Sequence, residues 1–270
     1  MERPSTIDTS QYTLMLRITA NEMQYVYYRP TEDDSMVSHR VSLPQGEGYA
    51  QAVEQTIYSH EELLQSYKRV YVVIASTHFV IVPDEVATLS DNTPLWHEMY
   101  KDVDEYVVES RMPHTGAVML WGADNRLVSF INRTFDNPTL LHPLIPLCEY
   151  FYRKSRIGNQ SKMYVHLQQG RMDVVCYSRE GLLLANTYDY RHVNDAAYHV
   201  LNVWKHLGLN QRNDEVQLVG DSTTRRELSA LLRNYILTVV PVIFPSHCHV
   251  LGGDAMHIPF DLTALSLCEL

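Results

Sequence analysis

An order of three β-like segments, a helix and a fourth β-like segment occurs twice along this chain. In the second half, three segments rich in β-branched and aromatic residues are separated by two short turns that contain Gly170 and Gly181. A helix, a strand, a second helix and a last strand follow. Three antiparallel strands with crossover helices predict a mixed sheet that has helices on its faces. The predicted strands of this half cover residues 163–167, 173–177, 182–187, 215–219 and 238–244.

The two helices of the second half have sequence signals at their ends. Asn194 is a candidate N-cap of the first helix, and Gly208 is placed to end it. In the second helix, Thr224 and Glu227 form a capping-box pattern. We therefore expect one helix before and one helix after the strand at 215–219 along the chain.

The first half begins with the same five elements and then departs from the pattern. We predict strands at 12–19, 23–29 and 36–43, a helix over 49–67 and a strand at 69–75. A helix around 94–102, strands at 106–109, 116–122 and 126–132, and a helical stripe from Leu140 to Phe151 follow. The polar, basic segment 153–161 is the predicted junction. The chain is thus expected to form two lobes, 1–155 with additional elements at about 84–150, and 156–270 with a C-terminal tail.

Charge and cysteine usage narrow the class of protein. Residues 1–150 hold 10 Lys and Arg against 21 Asp and Glu, a net charge of −11, and residues 151–270 hold 12 against 11, a net charge of +1. The overall charge of −10 disfavours a nucleic-acid partner, because phosphate contacts need clustered cations. The four cysteines form no Cys-x-x-Cys pair, so neither a disulfide framework nor a cysteine-only zinc site is predicted. No run approaches the roughly 18 apolar residues of a membrane span, and we expect a cytoplasmic protein.

The duplicated unit resembles the actin-like ATPase fold, in which each of two lobes contains a ribonuclease H-like core. Two segments carry the local resemblance: 72–77, which leads to Val82-Pro83, and 216–223, which is similar to the adenosine loop of the second lobe. The whole chain resembles an uncharacterised bacterial family with that fold. The resemblance implies an α/β protein with two ribonuclease H-like subdomains, each a mixed five-stranded sheet flanked by helices.

The first hairpin of each lobe departs from the pattern of active actin-like ATPases. There an Asp-x-Gly sequence organises the metal and lets backbone amides approach phosphate. The matching positions here hold Arg17-Ile18-Thr19 and His166-Leu167-Gln168. Arginine cannot ligate magnesium, so ATP with Mg²⁺ is disfavoured as a cofactor, and ribonuclease H chemistry is disfavoured for the same reason. Asp173, farther along the second hairpin, is interpreted as a solvated strand residue.

One loop is the best-placed candidate for ligand binding. Its residues follow a predicted strand and begin a helix, where exposed amides and the helix dipole favour an anion. The alternative is an ordinary capped helix with solvated arginines, and Asp221 would repel phosphate. The candidate residues are Gly220, Asp221, Ser222, Thr223, Thr224 and Arg225. Gly252-Gly253-Asp254 is interpreted as a simple turn.

The C-terminal region contains the densest set of metal-capable side chains. His247, His249 and His257 are the weak candidates for a zinc site, with Cys248 between the first two. In an extended strand His247 and His249 share one face and Cys248 points away, so the three do not coordinate one ion without distortion. We therefore predict no metal site.

These observations favour a non-catalytic, degenerate actin-like protein that serves as an interaction or scaffold module with a protein partner, and with a weak ligand cleft retained between its lobes. One alternative is a nucleotide-binding ATPase with unconventional phosphate loops. A second alternative is a metal-dependent hydrolase that uses the histidine-rich C-terminal region.

Overall fold

The computed structural model describes residues 9–87, 91–244 and 251–268 and contains two similar five-stranded sheets. The strands of the first are β1 (Thr13–Ile18), β2 (Glu22–Tyr28), β3 (Val37–Ser42), β4 (Arg69–Ile74) and β8 (Thr139–Leu141), in the order β3-β2-β1-β4-β8. The strands of the second are β9 (Lys162–Leu167), β10 (Arg171–Tyr177), β11 (Leu182–Asp189), β12 (Glu215–Gly220) and β13 (Thr238–Pro241), in the order β11-β10-β9-β12-β13. In both sheets the first three strands are antiparallel and the last two run parallel to the central strand. The predicted α/β class and the duplication are confirmed.

Helices cover both sheets. They are α1 (Tyr49–Tyr58), α2 (Thr93–Met99), α3 (Asn125–Thr134), α4 (Leu144–Ser155), α5 (Val193–His206), α6 (Ser222–Leu232) and α7 (Phe260–Leu267). Short 3-10 helices lie at Thr9–Gln11, Glu61–Leu64 and Gly253–Met256. A small three-stranded sheet of β5 (Phe79–Pro83), β6 (Tyr106–Met112) and β7 (Ala117–Ala123) lies in the additional segment of the first half. We call the first sheet with α1 and α3 the first lobe, and the second sheet with α5 and α6 the second lobe.

The core runs continuously between the lobes. On β9, Met163 and Val165 pack towards α5 and α6, whereas Tyr164 on the opposite face belongs to the core shared with the first lobe. Its ring stacks on Phe151 of α4 at a centroid distance of 4.1 Å. Helix α7 packs against α4, so the C-terminal segment lies among residues of the first half. The division at residues 155 and 156 therefore stays a prediction.

The segment 126–132, predicted as a strand, is helix α3. Asp124 caps it by accepting hydrogen bonds from the amides of Arg126 and Leu127 at 2.9 and 2.8 Å. Leu127, Phe130 and Ile131 are all buried, at spacings that put them on one helical face. The strand prediction for this segment is wrong, because its apolar residues recur with the helical period behind a capping aspartate.

Several element ends also differ from the predictions. Leu140 lies in strand β8, and α4 begins only after Pro143. Helix α1 ends at Tyr58 and is followed by a 3-10 turn, so the helix predicted over 49–67 is too long. The N-caps of α5 and α6 are His192 and Asp221 rather than Asn194 and Thr224. The last strand of the second sheet ends at Pro241.

Candidate functional site

The central strands of the two sheets carry equivalent residues at their C-terminal ends. Arg17 on β1 lies opposite Gln24 on β2, and His166 on β9 lies opposite Asp173 on β10. Each has a valine as its neighbour on the parallel strand of its sheet. Arg17 and His166 therefore occupy matching positions in the two lobes, as the alignment of the two hairpins predicts.

Arg17 is a buried cation that joins three elements. Its side chain is 5% exposed, and its Nε lies 2.6 Å from Oδ2 of Asp261 in α7. Its Nη2 donates a hydrogen bond to Oε1 of Gln168, in the turn after β9. The guanidinium therefore connects the first lobe with the C-terminal helix and with the second lobe.

The electrostatics of this contact stabilise the charge on Arg17. Burial opposes the charge on Arg17, but the charge and hydrogen bond of Asp261 outweigh it and raise the pKa of the guanidinium above its ordinary value. The carboxylate of Asp261 is fully buried, and its Oδ1 accepts a hydrogen bond from the amide of Leu262 at 2.9 Å. A buried ion pair whose remaining atoms are also hydrogen-bonded is costly to break from either side.

Asp173 is the second buried anion, and its interpretation as a solvated strand residue is wrong. The residue is 1% exposed because it points from β10 into the space between the lobes. Its Oδ2 accepts hydrogen bonds from His166 Nδ1 at 3.1 Å and Gln168 Nε2 at 2.8 Å, and its Oδ1 accepts one from Thr187 at 2.8 Å. Burial alone would raise the pKa of Asp173, but His166 and Arg171 with these hydrogen bonds lower it to about 2.

We call Arg17, His166, Gln168, Asp173 and Asp261 the interlobe network. A second polar contact lies beside it, where Nη2 of Arg171 and Nε2 of His142 both lie about 3 Å from the Ser76 carbonyl oxygen, at 3.1 and 3.0 Å. His142 is fully buried, and this burial lowers its pKa to about 4, so the ring is neutral at pH 7. The C-terminal end of β1 and the turns that follow β4 and β9 are thus joined by the chain's own side chains.

The predicted ligand-binding loop lies at the end of β12, beside β9. Gly220 has a φ of +100°, and a Cβ added to it would lie 2.0 Å from the carbonyl oxygen of Leu167. The amide of Asp221 donates to that same oxygen at 3.0 Å. This close approach between strands is sufficient to require glycine at position 220.

The N-terminus of α6 is capped by the side chain of Asp221. Oδ1 of Asp221 accepts a hydrogen bond from the amide of Thr224 at 2.7 Å, and this bond lowers the pKa of the carboxyl. Ser222 and Thr223 are exposed, and Arg225 is half-buried. Ligand binding at this loop stays a prediction.

The proposed metal candidates are only partly within the described chain. His247, His249 and Cys248 lie outside the described residues, and His257 is exposed. Among residues 9–87, 91–244 and 251–268, no group of three His, Cys, Asp or Glu side chains is placed to hold a metal ion. Gly252-Gly253-Asp254 leads into a 3-10 turn that contacts β3, where Asp254 accepts a hydrogen bond from the amide of Ser38 at 3.1 Å.

Sequence reasoning did not identify Asp261 as a site residue. A single acidic residue at the start of the apolar segment 260–267 is a signal for a buried, paired charge. Its partner Arg17 lies 244 residues away along the chain, so no local spacing links the two.

In the part of the chain that the structure describes, no helix is long and apolar enough to cross a membrane.

Comparisons with known proteins agree with this architecture. A protein of unknown function from Bacteroides thetaiotaomicron VPI-5482, whose crystal structure has an actin-like ATPase fold, is 28% identical with a TM-score of 0.82, and the match covers 97% of each chain. The PilM-PilN type IV pilus biogenesis complex is 14% identical with a TM-score of 0.59, covering 94% of this chain and 97% of that one, which shows a shared fold alone. No curated protein matches the chain. The predicted resemblance to an uncharacterised family with the actin-like fold is confirmed. Residues 2–239 match a family described as "Protein of unknown function (DUF3822)", and the chain belongs to that family.

Proposed function

We propose that this protein is a non-catalytic actin-like protein that acts as an interaction or scaffold module, and that its interlobe network takes the place of a nucleotide. The carrying observation is the ion pair between Arg17 and Asp261, at the strand position where active relatives of the fold place a metal-organising aspartate. The same guanidinium contacts Gln168 of the second lobe, so the two lobes are joined without a ligand.

The hydrogen bonding of the two buried carboxylates supports this proposal. Both oxygens of Asp173 and both oxygens of Asp261 accept hydrogen bonds from groups of the chain. Magnesium requires oxygen ligands in octahedral geometry, and binding it here would first break these contacts. A cation also already neutralises Asp261, so a second cation gains little.

A protein partner is the class of ligand that fits this proposal. The net charge of −10 disfavours nucleic acid. One structure that shares the fold, the PilM-PilN complex, is an assembly of two proteins, which gives a precedent for a protein-binding role of the fold. We place the protein in the cytoplasm under this proposal.

Calorimetric titration of the protein with ATP and Mg²⁺ tests the proposal directly. We expect no heat of binding at millimolar nucleotide and no rise in melting temperature, because a ligand of the folded state would raise it. Release of phosphate is followed in the same samples. Micromolar binding with turnover would replace this proposal with the alternative of an ATPase that has unconventional phosphate loops.

A further inference from the structure

A groove between α1 and α3 lies on the outer face of the first lobe, away from the interlobe network. Two adjoining cavities of about 750 Å³ and about 430 Å³ form it, and both are lined by Glu54, Phe130 and Arg133. The shared lining makes the two cavities one continuous groove along the helix pair.

The floor of the groove is apolar. Phe130 is 2% exposed, and the ring of Tyr58 meets it edge-on at 5.7 Å. Tyr58 itself is 55% exposed and Leu64 is 46% exposed, so two large side chains offer free apolar surface beside a concave site. Such a combination is typical of a recognition surface.

One wall of the groove carries two exposed arginines on the same face of α3. Arg126 and Arg133 are seven residues apart, which is two helical turns or about 10.5 Å. Within the described residues, neither forms an ion pair. They stand in the half of the chain whose net charge is −11, so this wall is a local exception to an acidic surface.

Two acidic residues, Asp124 and Glu54, also line the groove. The Oδ1 atom of Asp124 accepts hydrogen bonds from the amides of Arg126 and Leu127. Glu54 lies on the opposite wall, on α1, and is half-buried. The groove therefore has an apolar floor, an α3 wall with two arginines and one capping aspartate, and an α1 wall with a single carboxylate.

We propose that this groove binds an amphipathic helix of a partner protein that presents two acidic residues two turns apart beside an apolar stripe. The inference rests on the proposed interaction role and names the partner's chemistry. A helix that binds in a groove contacts it through side chains that recur with the helical period, and the spacing of Arg126 and Arg133 matches that period. Arginine pairs with carboxylates through two parallel hydrogen bonds, which favours acidic over neutral partners.

The test uses two displayed libraries of helical peptides of about 14 residues, or four turns. One library has glutamates fixed seven residues apart and the other has lysines at the same positions, with the apolar stripe varied in both. We expect the intact protein to enrich the glutamate library alone. Retained peptides are then synthesised, and their affinity is measured by fluorescence anisotropy.

Two charge-reversal variants, one in the groove and one in the second lobe, test whether the selected peptides bind in the groove. Arg126→Glu with Arg133→Glu should weaken binding of the glutamate peptides about tenfold or more, and should make the protein enrich the lysine library instead. Arg212→Glu with Arg226→Glu changes the net charge equally on exposed arginines of the second lobe and should leave affinity unchanged. Thermal melts of both variants establish that they are folded.

Three results overturn the inference. The first is that no glutamate peptide is enriched, and the second is that the Arg126→Glu, Arg133→Glu variant binds the peptides as tightly as the intact protein. The third is that the intact protein is a dimer that this variant converts to a monomer, since the groove would then hold a second copy of the chain. Failure here with no ATP binding leaves the proposed scaffold role in place. Success here with ATP turnover removes the non-catalytic part of that role and keeps the groove.

Discussion

The two lobes share one sheet topology but carry different charged residues on their first hairpins. Arg17 of the first lobe faces Gln24 across its hairpin, whereas His166 of the second lobe faces Asp173. The strand that follows the helix also differs, since Ile74 in the first lobe stands where the second lobe has Gly220. Within the interlobe network, the first lobe thus supplies the buried cation, and the second lobe and α7 supply the buried anions.

This difference shows how the two lobes of a duplicated fold can contact and stabilise each other directly. Two identical lobes would face each other with like charges, which repel in a buried space. Divergence of the two copies at one strand position allows direct contact between Arg17 and Gln168 and a shared ion pair with Asp261. Four predictions, each with its own substitutions, test which part of the comparison matters most.

The largest effect is expected at Gly220, where the lobes differ in backbone shape. Gly220→Ala should lower the free energy of unfolding by about 4 kcal/mol, because its Cβ would lie 2.0 Å from the Leu167 carbonyl oxygen. Gly208→Ala is the control, with a φ of +65° but no atom within 4 Å of its Cβ, and should cost only about 1 kcal/mol. Urea titration measures both. Equal losses would mean that the close contact between β12 and β9 is absent.

The next largest effect is expected for the buried ion pair. Arg17→Met should lower the free energy of unfolding by about 3 kcal/mol, because it leaves Asp261 buried and unpaired. Arg17→Met with Asp261→Leu should recover part of that loss, since neither charge is then stranded. Arg29→Met removes the exposed pair with Glu32 and should change stability by less than about 1 kcal/mol. Additive losses in the double variant would contradict a direct pair.

The buried histidine His142 should make the stability of the protein depend on pH. His142 contacts the Ser76 carbonyl, and burial lowers its pKa to about 4. The unfolded chain protonates a histidine near pH 6.5, so falling pH favours unfolding until it reaches about 4.

Between pH 7 and pH 5 the intact protein should therefore lose about 2 kcal/mol more stability than His142→Asn. Asp173, with a pKa of about 2, contributes stability that is present above about pH 4 and lost below it. Urea titrations at each pH measure the difference. Parallel pH profiles of the two proteins would show that His142 does not stay neutral.

The smallest effects are expected at the two aspartate caps. Asp124 accepts two amide hydrogen bonds at the start of α3, and Asp221 accepts one at the start of α6. Replacing either by alanine should cost about 1 kcal/mol, with the larger loss at Asp124. A loss at Asp221 well above that at Asp124 would indicate a further role for the loop at 220–225.

The order of the elements could be predicted from the sequence because periodicity and turn residues are local signals. The strand prediction at 126–132 is wrong because the apolar residues 127, 128, 130 and 131 recur with the helical period and do not alternate, and Asp124 caps the helix. The hairpin positions Arg17 and His166 were also found from sequence, by matching the repeats. The pairing of Asp261 with Arg17 and the burial of Asp173 could not be predicted, since both depend on α7 and the lobes coming together over long sequence separations.

A crystal structure of the protein grown with Mg²⁺ and a non-hydrolysable ATP analogue at millimolar concentration tests the central claim most directly. We predict that the guanidinium of Arg17 still contacts Asp261 and Gln168, with no nucleotide between the lobes. A bound nucleotide with its phosphates beside β1 and β9, and Arg17 displaced from Asp261, would contradict the account.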